Sequence, residues 1–179
     1  MKDVELVIPS KKYLESYLEA CQELADKPEL RDTIFHNPDE FDDWKDNIFL
    51  KFEEQRCGIN LPEMYVPEST FWLVEGGIFI GEGSIRHSLT PVLERFGGHI
   101  GYAIRPSKWS KGYGTILLKL LLDKAHELGI KKALITCNED NVGSCKVIEK
   151  NDGVFQDTID YIIDDVPRRT NRYWIEIIK

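Results

Sequence analysis

The stretch "SKGYGT" contains the residue types from which a protein can build a phosphate site out of backbone groups alone. Gly112 and Gly114 lie one residue apart, between an extended apolar run and a long apolar segment that we predict to be a helix over Ile116–Leu128. The amides of Lys111–Thr115 would then lie at the N-terminus of that helix, where the helix dipole favours an anion such as a pyrophosphate. A tight turn into a buried helix is an equally open interpretation.

Spacing excludes one well-known phosphate motif and argues against a second. A Walker A loop needs Lys-Ser or Lys-Thr directly after its second glycine, and neither glycine is followed by that pair. A dinucleotide fingerprint needs a third small residue at the position of Leu117, in a strand and helix that open a βαβ unit. A nucleotide-phosphate-binding protein that uses only the helix N-terminus remains an alternative.

Composition limits the classes of partner. A net charge of −8 and a pI near 5.1 argue against a nucleic-acid interface, and they fit a positively charged substrate or a solvated acidic surface. The four cysteines show neither a CxxC pair nor a histidine at zinc-ligand spacing, so we expect reduced thiols and no metal. The sequence has no signal peptide and no run near the ~18 apolar residues of a membrane span. We therefore expect a cytoplasmic protein with no membrane partner.

Hydrophobic periodicity predicts one α+β domain over residues 1–179. The expected order is a strand, two helices, three strands, a helix, a strand, a helix and two closing strands. The predicted elements are Val4–Ser10, Lys11–Leu24, Pro38–Cys57, a hairpin over Thr70–Leu89 closed at Glu75–Gly77, His99–Pro106, Ile116–Leu128, Lys131–Cys137, a short helix within Asn138–Gly153, Val154–Asp165 and Asn171–Lys179. Residues 91–98 are expected to be a connection.

The span from about Phe71 to Phe155 resembles the GNAT superfamily of acyl-CoA-dependent N-acetyltransferases. The text "WSKGYGT" after a strand and before a long helix is similar to the family signature [RQ]-x-x-G-x-[GA], with Trp109 at its first position. A second family element follows the next strand, in Asn141, Ser144 and "EKNDGVF". The text "GGHIGYAIRPSKWSKGYGT" looks like a bacterial subgroup of predicted acetyltransferases.

The resemblance implies a mostly antiparallel mixed sheet whose two central strands splay and hold acetyl-CoA between them. It implies that residues 1–69 supply the substrate side, 70–155 the acyl-CoA-binding core and 156–179 the closing strands. The pantetheine arm would pair with the backbone of the first splayed strand, and an N–H near Ile104 would polarise the thioester carbonyl. The implied cofactor contacts are Tyr102, Ala103, Ile104, Lys111, Gly112, Tyr113, Gly114, Thr115, Asn141 and Ser144.

The implied reaction is direct attack of a primary amine of a small molecule or peptide on acetyl-CoA. His99 is the first candidate for the base, because an unperturbed imidazole titrates near pH ~6.5, and Glu82 and His87 are the second choices. Many relatives carry a tyrosine as general acid where this sequence has Ile148, so a non-catalytic acyl-CoA-binding module is the alternative. Homodimers are common in the family, so a homodimer is possible on this resemblance. Arg105 ends a predicted strand, and we expect its side chain to be exposed.

Overall fold

The computed structural model describes residues 3–25, 44–163 and 166–178, which form seven strands and five α-helices. The strands are β1 (Val4–Val7), β2 (Glu68–Glu75), β3 (Ile78–Arg86), β4 (Ile100–Ile104), β5 (Lys132–Asn138), β6 (Val154–Ile163) and β7 (Val166–Glu176). The helices are α1 (Leu14–Ala25), α2 (Trp44–Cys57), α3 (Pro91–Arg95), α4 (Tyr113–Glu127) and α5 (Val142–Glu149). Short 3₁₀ turns precede α1, at Lys11–Tyr13, and follow β4, at Pro106–Lys108.

The element order agrees with the prediction, with local differences. The connection over residues 91–98 contains α3, which Thr90 caps by accepting a hydrogen bond from Leu93 N–H (3.3 Å). Helix α4 begins at Tyr113, three residues before the predicted start, so part of the predicted loop is its first turn. Strand β7 begins at Val166 rather than Asn171. Residues 38–43 of the predicted second helix lie outside the described residues.

The strands form two antiparallel sheets rather than one mixed sheet. The first has the order β1-β2-β3-β4 and the second β5-β7-β6. The β2–β3 turn contains Gly76 and Gly77, both with positive φ (57° and 85°), as a tight hairpin turn requires. Between the two sheets the only described pairing is an isolated bridge from Gly98 to Ile135.

Two hydrophobic cores hold the sheets and helices together. In the first, α4 packs against β3 and β4, in a buried cluster that includes Leu117 and Leu121 of α4 and Ile135 of β5. The approach to β3 is close, because a Cβ on Gly83 would lie 2.3 Å from Leu121 Cδ1. In the second, α1 and α2 cover the opposite face of β2 and β3, where Trp72 is fully buried. The first sheet thus separates α4 from the N-terminal helices.

Candidate active site

Every second residue of β4 directs its backbone N–H and C=O groups away from β3, its neighbour in the first sheet. At the two ends of its pairing with β3, His99 O accepts a hydrogen bond from Arg86 N–H (2.8 Å) and Arg105 N–H donates to Ile80 O (2.9 Å). In an antiparallel ladder every second residue bonds to the same neighbour, so Ala103 also directs its backbone groups to β3. The N–H and C=O groups of Tyr102 and Ile104 point to the opposite edge. Of the three β4 residues predicted to pair with a cofactor, these two therefore have the suitable backbone orientation.

The open edge of β4 faces a crevice, which we define as the gap between β4 and the elements β5 and α5. The two strands meet at the start of β4, where His99 N–H donates to Leu134 O (2.7 Å) next to the Gly98–Ile135 bridge. Beyond that point no ladder joins them among the described strands. An extended ligand can therefore add to the edge of β4 as an extra strand.

The N-terminus of α4 lies just past the end of β4. Gly112 is its N-cap residue, in the left-handed conformation (φ 85°) that glycine adopts without strain, and no side-chain hydrogen bond caps it. The first intrahelical bond is Ile116 N–H to Gly112 O (3.3 Å), so the N–H groups of Tyr113, Gly114 and Thr115 precede the hydrogen-bonded turn. Such a helix end fits a pyrophosphate.

The side chains of the Gly112 loop contact other parts of the protein. The Tyr113 hydroxyl donates to Glu75 Oε2 (2.5 Å) on β2, so only the backbone of Tyr113 is oriented for a ligand. Lys111 is exposed and its Nζ donates to Ser107 O (2.9 Å). Gly114 lies against α5, where a Cβ would be 3.1 Å from Val147 Cγ2. The second glycine of the motif therefore serves helix packing.

Trp109, at the first position of the family signature, contacts the open edge itself. Its indole Nε1–H donates to Ile104 O (2.5 Å), and its side chain is 41% exposed. This carbonyl is one of the backbone acceptors that point into the crevice. Apart from the unusual residue type at position 109, nothing in the sequence points to this contact.

Tyr102 and Ser144 connect the two sides of the crevice. The Tyr102 hydroxyl lies 2.8 Å from Ser144 Oγ and 3.3 Å from Ser144 O, on the first turn of α5. Asn141 caps that helix, since its Oδ1 accepts from Ser144 N–H (2.9 Å). Burial raises the pKa of the Tyr102 phenol well above its ordinary range. Ile148 is fully buried in the core.

A cavity of about 240 Å³ lies on the other face of β3 and β4. Glu82 lies in its wall, 1% exposed, and accepts a hydrogen bond from Trp72 Nε1 (2.7 Å). The wall also contains Arg86, whose Nε is 3.7 Å from Glu68 Oε2. The full lining is Gln55, Glu68, Thr70, Glu82, Ser84, Arg86 and Gly101. Because Gly101 belongs to β4, this acidic cavity adjoins the strand that borders the crevice.

The two candidate histidines lie outside this lining. His99 Nδ1 accepts from Leu134 N–H (3.0 Å), which fixes the ring between β4 and β5. Burial, and to a lesser degree the charge of Arg86, lowers the pKa of His99. His87 Nε2 lies 2.8 Å from Ser69 Oγ, and burial is the main cause that lowers its pKa. Both rings have hydrogen-bond partners, as Glu82 has in Trp72, but of these three residues only Glu82 lies in the cavity wall.

Arg105 is buried, contrary to the expectation of an exposed strand end. The residue is 6% exposed, and its guanidinium donates to Phe79 O (3.0 Å) and to Glu23 Oε1 through Nε (3.0 Å) and Nη2 (2.5 Å). Glu23 also accepts from Ser107 N–H (2.9 Å) and Ser107 Oγ (2.8 Å). Burial alone would raise the pKa of Glu23, but the hydrogen bonds from Arg105 and Ser107 lower it overall. This network fixes α1 to the segment between β4 and the Gly112 loop.

Other kinds of site are not evident in the part of the chain that the structure describes. None of its helices is both long and apolar enough to cross a membrane. Its His, Cys, Asp and Glu side chains form no group of three or more arranged to hold a metal ion.

Comparison with known proteins identifies the class. The family profile described as an acetyltransferase (GNAT) domain matches residues 13–154. The chain therefore belongs to the GNAT acetyltransferase family, and it is an acyl-CoA N-acetyltransferase. No curated protein sequence matches it significantly.

Solved structures share the fold at low sequence identity. An alpha-N-protein acetyltransferase of a ribosomal protein (RimL), in complex with coenzyme A, has a TM-score of 0.71 at 14% identity, covering 98% of this chain and 95% of its own. A Salmonella typhimurium acetyltransferase that modifies the N-terminal serine of a 50S ribosomal subunit protein has a TM-score of 0.71 at 14% identity, covering 98% and 96%. A microcin self-immunity acetyltransferase (MccE), in complex with acetyl-CoA and AMP, has a TM-score of 0.70 at 16% identity, covering 98% and 93%. These likenesses establish the fold, with α+β architecture as predicted.

Proposed function

We propose that the protein transfers the acetyl group of acetyl-CoA directly to a primary amine. The observation that carries this proposal is the continuity of the open edge of β4. That edge begins beside the uncapped N-terminus of α4 and adjoins the cavity that contains Glu82. A pyrophosphate at this helix end, a pantetheine arm on the open edge and an acceptor in the cavity would thus follow one another along β4.

The backbone provides most of the acetyl-CoA site. The N–H groups of Tyr113, Gly114 and Thr115 and the dipole of α4 would bind the pyrophosphate, and Lys111 would add charge. The pantetheine arm would bond to the exposed backbone groups of Ile104 and Tyr102. Asn141 and Ser144 would border the arm from α5. Acetyl-CoA supplies the activated acetyl group as a thioester.

The acidic cavity suits a cationic acceptor. An alkylammonium has a pKa near ~10, so the acceptor arrives charged at neutral pH and must lose a proton before it can attack. Glu82 would hold this ammonium by charge and hydrogen bonding and accept the proton, directly or through a water. Glu82 is our candidate base in preference to His99 and His87, because its side chain lies in the cavity wall and the two histidines lie outside the lining. Gln55 and Glu68 would form the part of the cavity that residues 1–69 contribute.

An amine acceptor is also consistent with the relatives. The RimL structure is named as an alpha-N-protein acetyltransferase, and the Salmonella typhimurium protein modifies an N-terminal serine. Both names denote acetylation of an amino group. We therefore place small-molecule amines and peptide N-termini in the same substrate class for this chain.

Release of CoA in the presence of an amine panel tests this proposal. The panel contains polyamines, amino acids, aminoglycosides and short peptides, and the acetylated product is identified by mass spectrometry. We expect release of CoA and acetylation of at least one amine. Tight binding of acetyl-CoA without release in any reaction would favour the non-catalytic module. Competition by ATP or NAD would favour a nucleotide-phosphate site.

A further inference from the structure

The segment that joins β4 to α4, residues 105–111, is bound to α1 through the carboxylate of Glu23. Glu23 accepts hydrogen bonds from Arg105 and from Ser107, and Gly112 lies five residues after Ser107. We propose that Glu23 is a positioning residue for acetyl-CoA, which holds this segment, here called the linker, in the conformation that presents the N-terminus of α4 to the pyrophosphate. The inference rests on the proposed acetyl-CoA site and adds a residue of α1 to it.

Both carboxylate oxygens of Glu23 bind the linker. Oε1 accepts from Arg105 Nε (3.0 Å), Arg105 Nη2 (2.5 Å) and Ser107 Oγ (2.8 Å), and Oε2 accepts from Ser107 N–H (2.9 Å). One of these donors belongs to the backbone, so the carboxylate fixes the chain itself as well as two side chains. Hydrogen bonds to an ionised group are also stronger than neutral ones.

Arg105 gives Glu23 a fixed partner, because other parts of the protein hold its guanidinium in place. Its Nη1 donates to Phe79 O (3.0 Å) on β3 and to Ser16 Oγ (3.3 Å) on α1, and the residue is buried. A buried guanidinium that loses its carboxylate partner is left with an uncompensated charge. Glu23 therefore neutralises Arg105 and, through Ser107, fixes the linker.

The conformation of the linker requires such a constraint. Ser110 has a positive φ of 57°, in the left-handed region that a serine rarely adopts, and Gly112 follows with φ 85°. A residue in this region persists there only where the surrounding structure imposes the conformation. Ser107 transmits the constraint, since its N–H donates to Glu23 and its carbonyl accepts from Lys111 Nζ (2.9 Å). We therefore assign to Glu23 the constraint on the β4 side of Ser110.

The size of the effect follows from the fraction of molecules whose linker is in place. The apparent Kd equals the intrinsic Kd divided by the fraction of protein in the binding-competent conformation. If loss of the Glu23 charge reduces that fraction to about one tenth, the acetyl-CoA Kd rises about tenfold. The acetyl thioester of pantetheine keeps the arm and lacks the pyrophosphate, so its use as a donor should not depend on the linker.

Calorimetric titration of Glu23→Gln with acetyl-CoA tests the inference. Glutamine keeps the size of the side chain and removes its charge, and we expect the Kd to rise about tenfold. Glu19→Gln is the matched control, because Glu19 is an exposed residue of the same helix whose Oε2 lies 3.7 Å from Arg105 Nη2. It removes one charge near the same guanidinium, and its Kd should stay within about twofold of the wild type.

A second variant leaves the buried ion pair intact. Ser107→Ala removes only an exposed hydroxyl that donates to Glu23, so the fold and the Arg105 contacts are kept. Because one hydrogen bond is lost, we expect the acetyl-CoA Kd to rise about two- to threefold. This variant decides the question if Glu23→Gln does not fold.

Kinetics distinguish positioning from a general loss of stability. With the amine of the panel that is acetylated fastest, Glu23→Gln should raise the KM for acetyl-CoA about tenfold and leave kcat within about twofold, because the bound complex has the linker in place. With acetyl-pantetheine as the donor, kcat/KM should be equal in the variant and the wild type. A merely structural ion pair would lower the Tm and change kcat/KM for both donors by the same factor.

The outcomes separate this inference from the proposed function. If the wild type binds acetyl-CoA and acetylates an amine while Glu23→Gln and Ser107→Ala bind acetyl-CoA as tightly, the role of Glu23 is wrong and acetyl transfer stands. Equal losses with acetyl-CoA and acetyl-pantetheine would also overturn it. If the wild type does not bind acetyl-CoA, both proposals are wrong.

Discussion

The indole Nε1–H of Trp109 donates to the carbonyl oxygen of Ile104 at 2.5 Å, on the edge of β4 where we place the pantetheine arm. A side chain next to the Gly112 loop thus binds a backbone acceptor that an added strand would use. Acetyl-CoA binding must therefore either displace this indole or bond around it.

Replacing Trp109 by Phe tests this competition. The variant removes the indole donor and keeps an aromatic ring at the loop. Because one hydrogen bond at a partly exposed site contributes about 0.5–1 kcal/mol, we expect acetyl-CoA to bind about two- to fivefold more tightly. Calorimetric titration of both proteins measures the ratio. Binding weakened tenfold or more would mean that the indole itself contacts the cofactor.

Gly112→Asp should abolish acetyl-CoA binding. The substitution puts a side chain and a negative charge at the N-terminus of α4, where the pyrophosphate is proposed to bind. Gly129→Asp is the matched control, because Gly129 has nearly the same positive φ (84° against 85°) and open space around it at the far end of α4. The control shares the backbone strain and the added charge. Equal affinity in the two variants would remove the Gly112 loop from the site.

Glu82→Gln should lower kcat by about 100-fold and leave the acetyl-CoA Kd nearly unchanged. The amide oxygen of glutamine can still accept the hydrogen bond from Trp72, so the fold is kept, but the charge that holds the ammonium is lost. Glu127→Gln, on the exposed end of α4, is the control. Steady-state kinetics, with the amine of the panel that is acetylated fastest, measure kcat for both variants and the wild type. Full activity of Glu82→Gln would return His99 and His87 to first place as candidate bases.

His99→Ala should change stability rather than turnover. Loss of the hydrogen bond from Leu134 N–H costs about 1 kcal/mol at pH 8. Burial lowers the pKa of His99, so the folded protein keeps the ring neutral while the unfolded chain binds a proton as the pH falls through about 6.5. Proton uptake therefore favours unfolding at low pH, and the wild-type Tm should fall more than that of His99→Ala between pH 8 and pH 5.

Thermal denaturation at several pH values measures this difference, with His126→Ala on the exposed face of α4 as the control. A pH dependence identical in His99→Ala and the wild type would contradict the account of His99. A large loss of kcat in His99→Ala at unchanged stability would support its original prediction as the base.

Features encoded within a few residues were predictable from the sequence. The Gly76–Gly77 turn depends on local backbone preferences that residue types reveal. The early start of α4 was missed because the last glycine of the motif lies inside the first helical turn.

Contacts between distant parts of the chain could not be predicted in this way. The Arg105–Glu23 ion pair and the Tyr102–Ser144 hydrogen bond join residues 82 and 42 positions apart. Arg105 was expected to be exposed because it ends a strand. In the folded protein α1 packs over it, and this contact between distant parts of the chain buries it. Sequence reasoning could not favour Glu82 over the two histidines as the base, because the cavity that contains Glu82 is formed by residues from distant parts of the chain.

The most direct test of the central claim is calorimetric titration of the wild-type protein with acetyl-CoA, repeated in the presence of ATP and of NAD. We predict binding in the micromolar range that neither nucleotide displaces, because the pantetheine arm on β4 contributes contacts that nucleotides lack. Absence of binding would contradict the account, since the Gly112 loop would then be only a turn into α4 and the open edge of β4 would have no ligand.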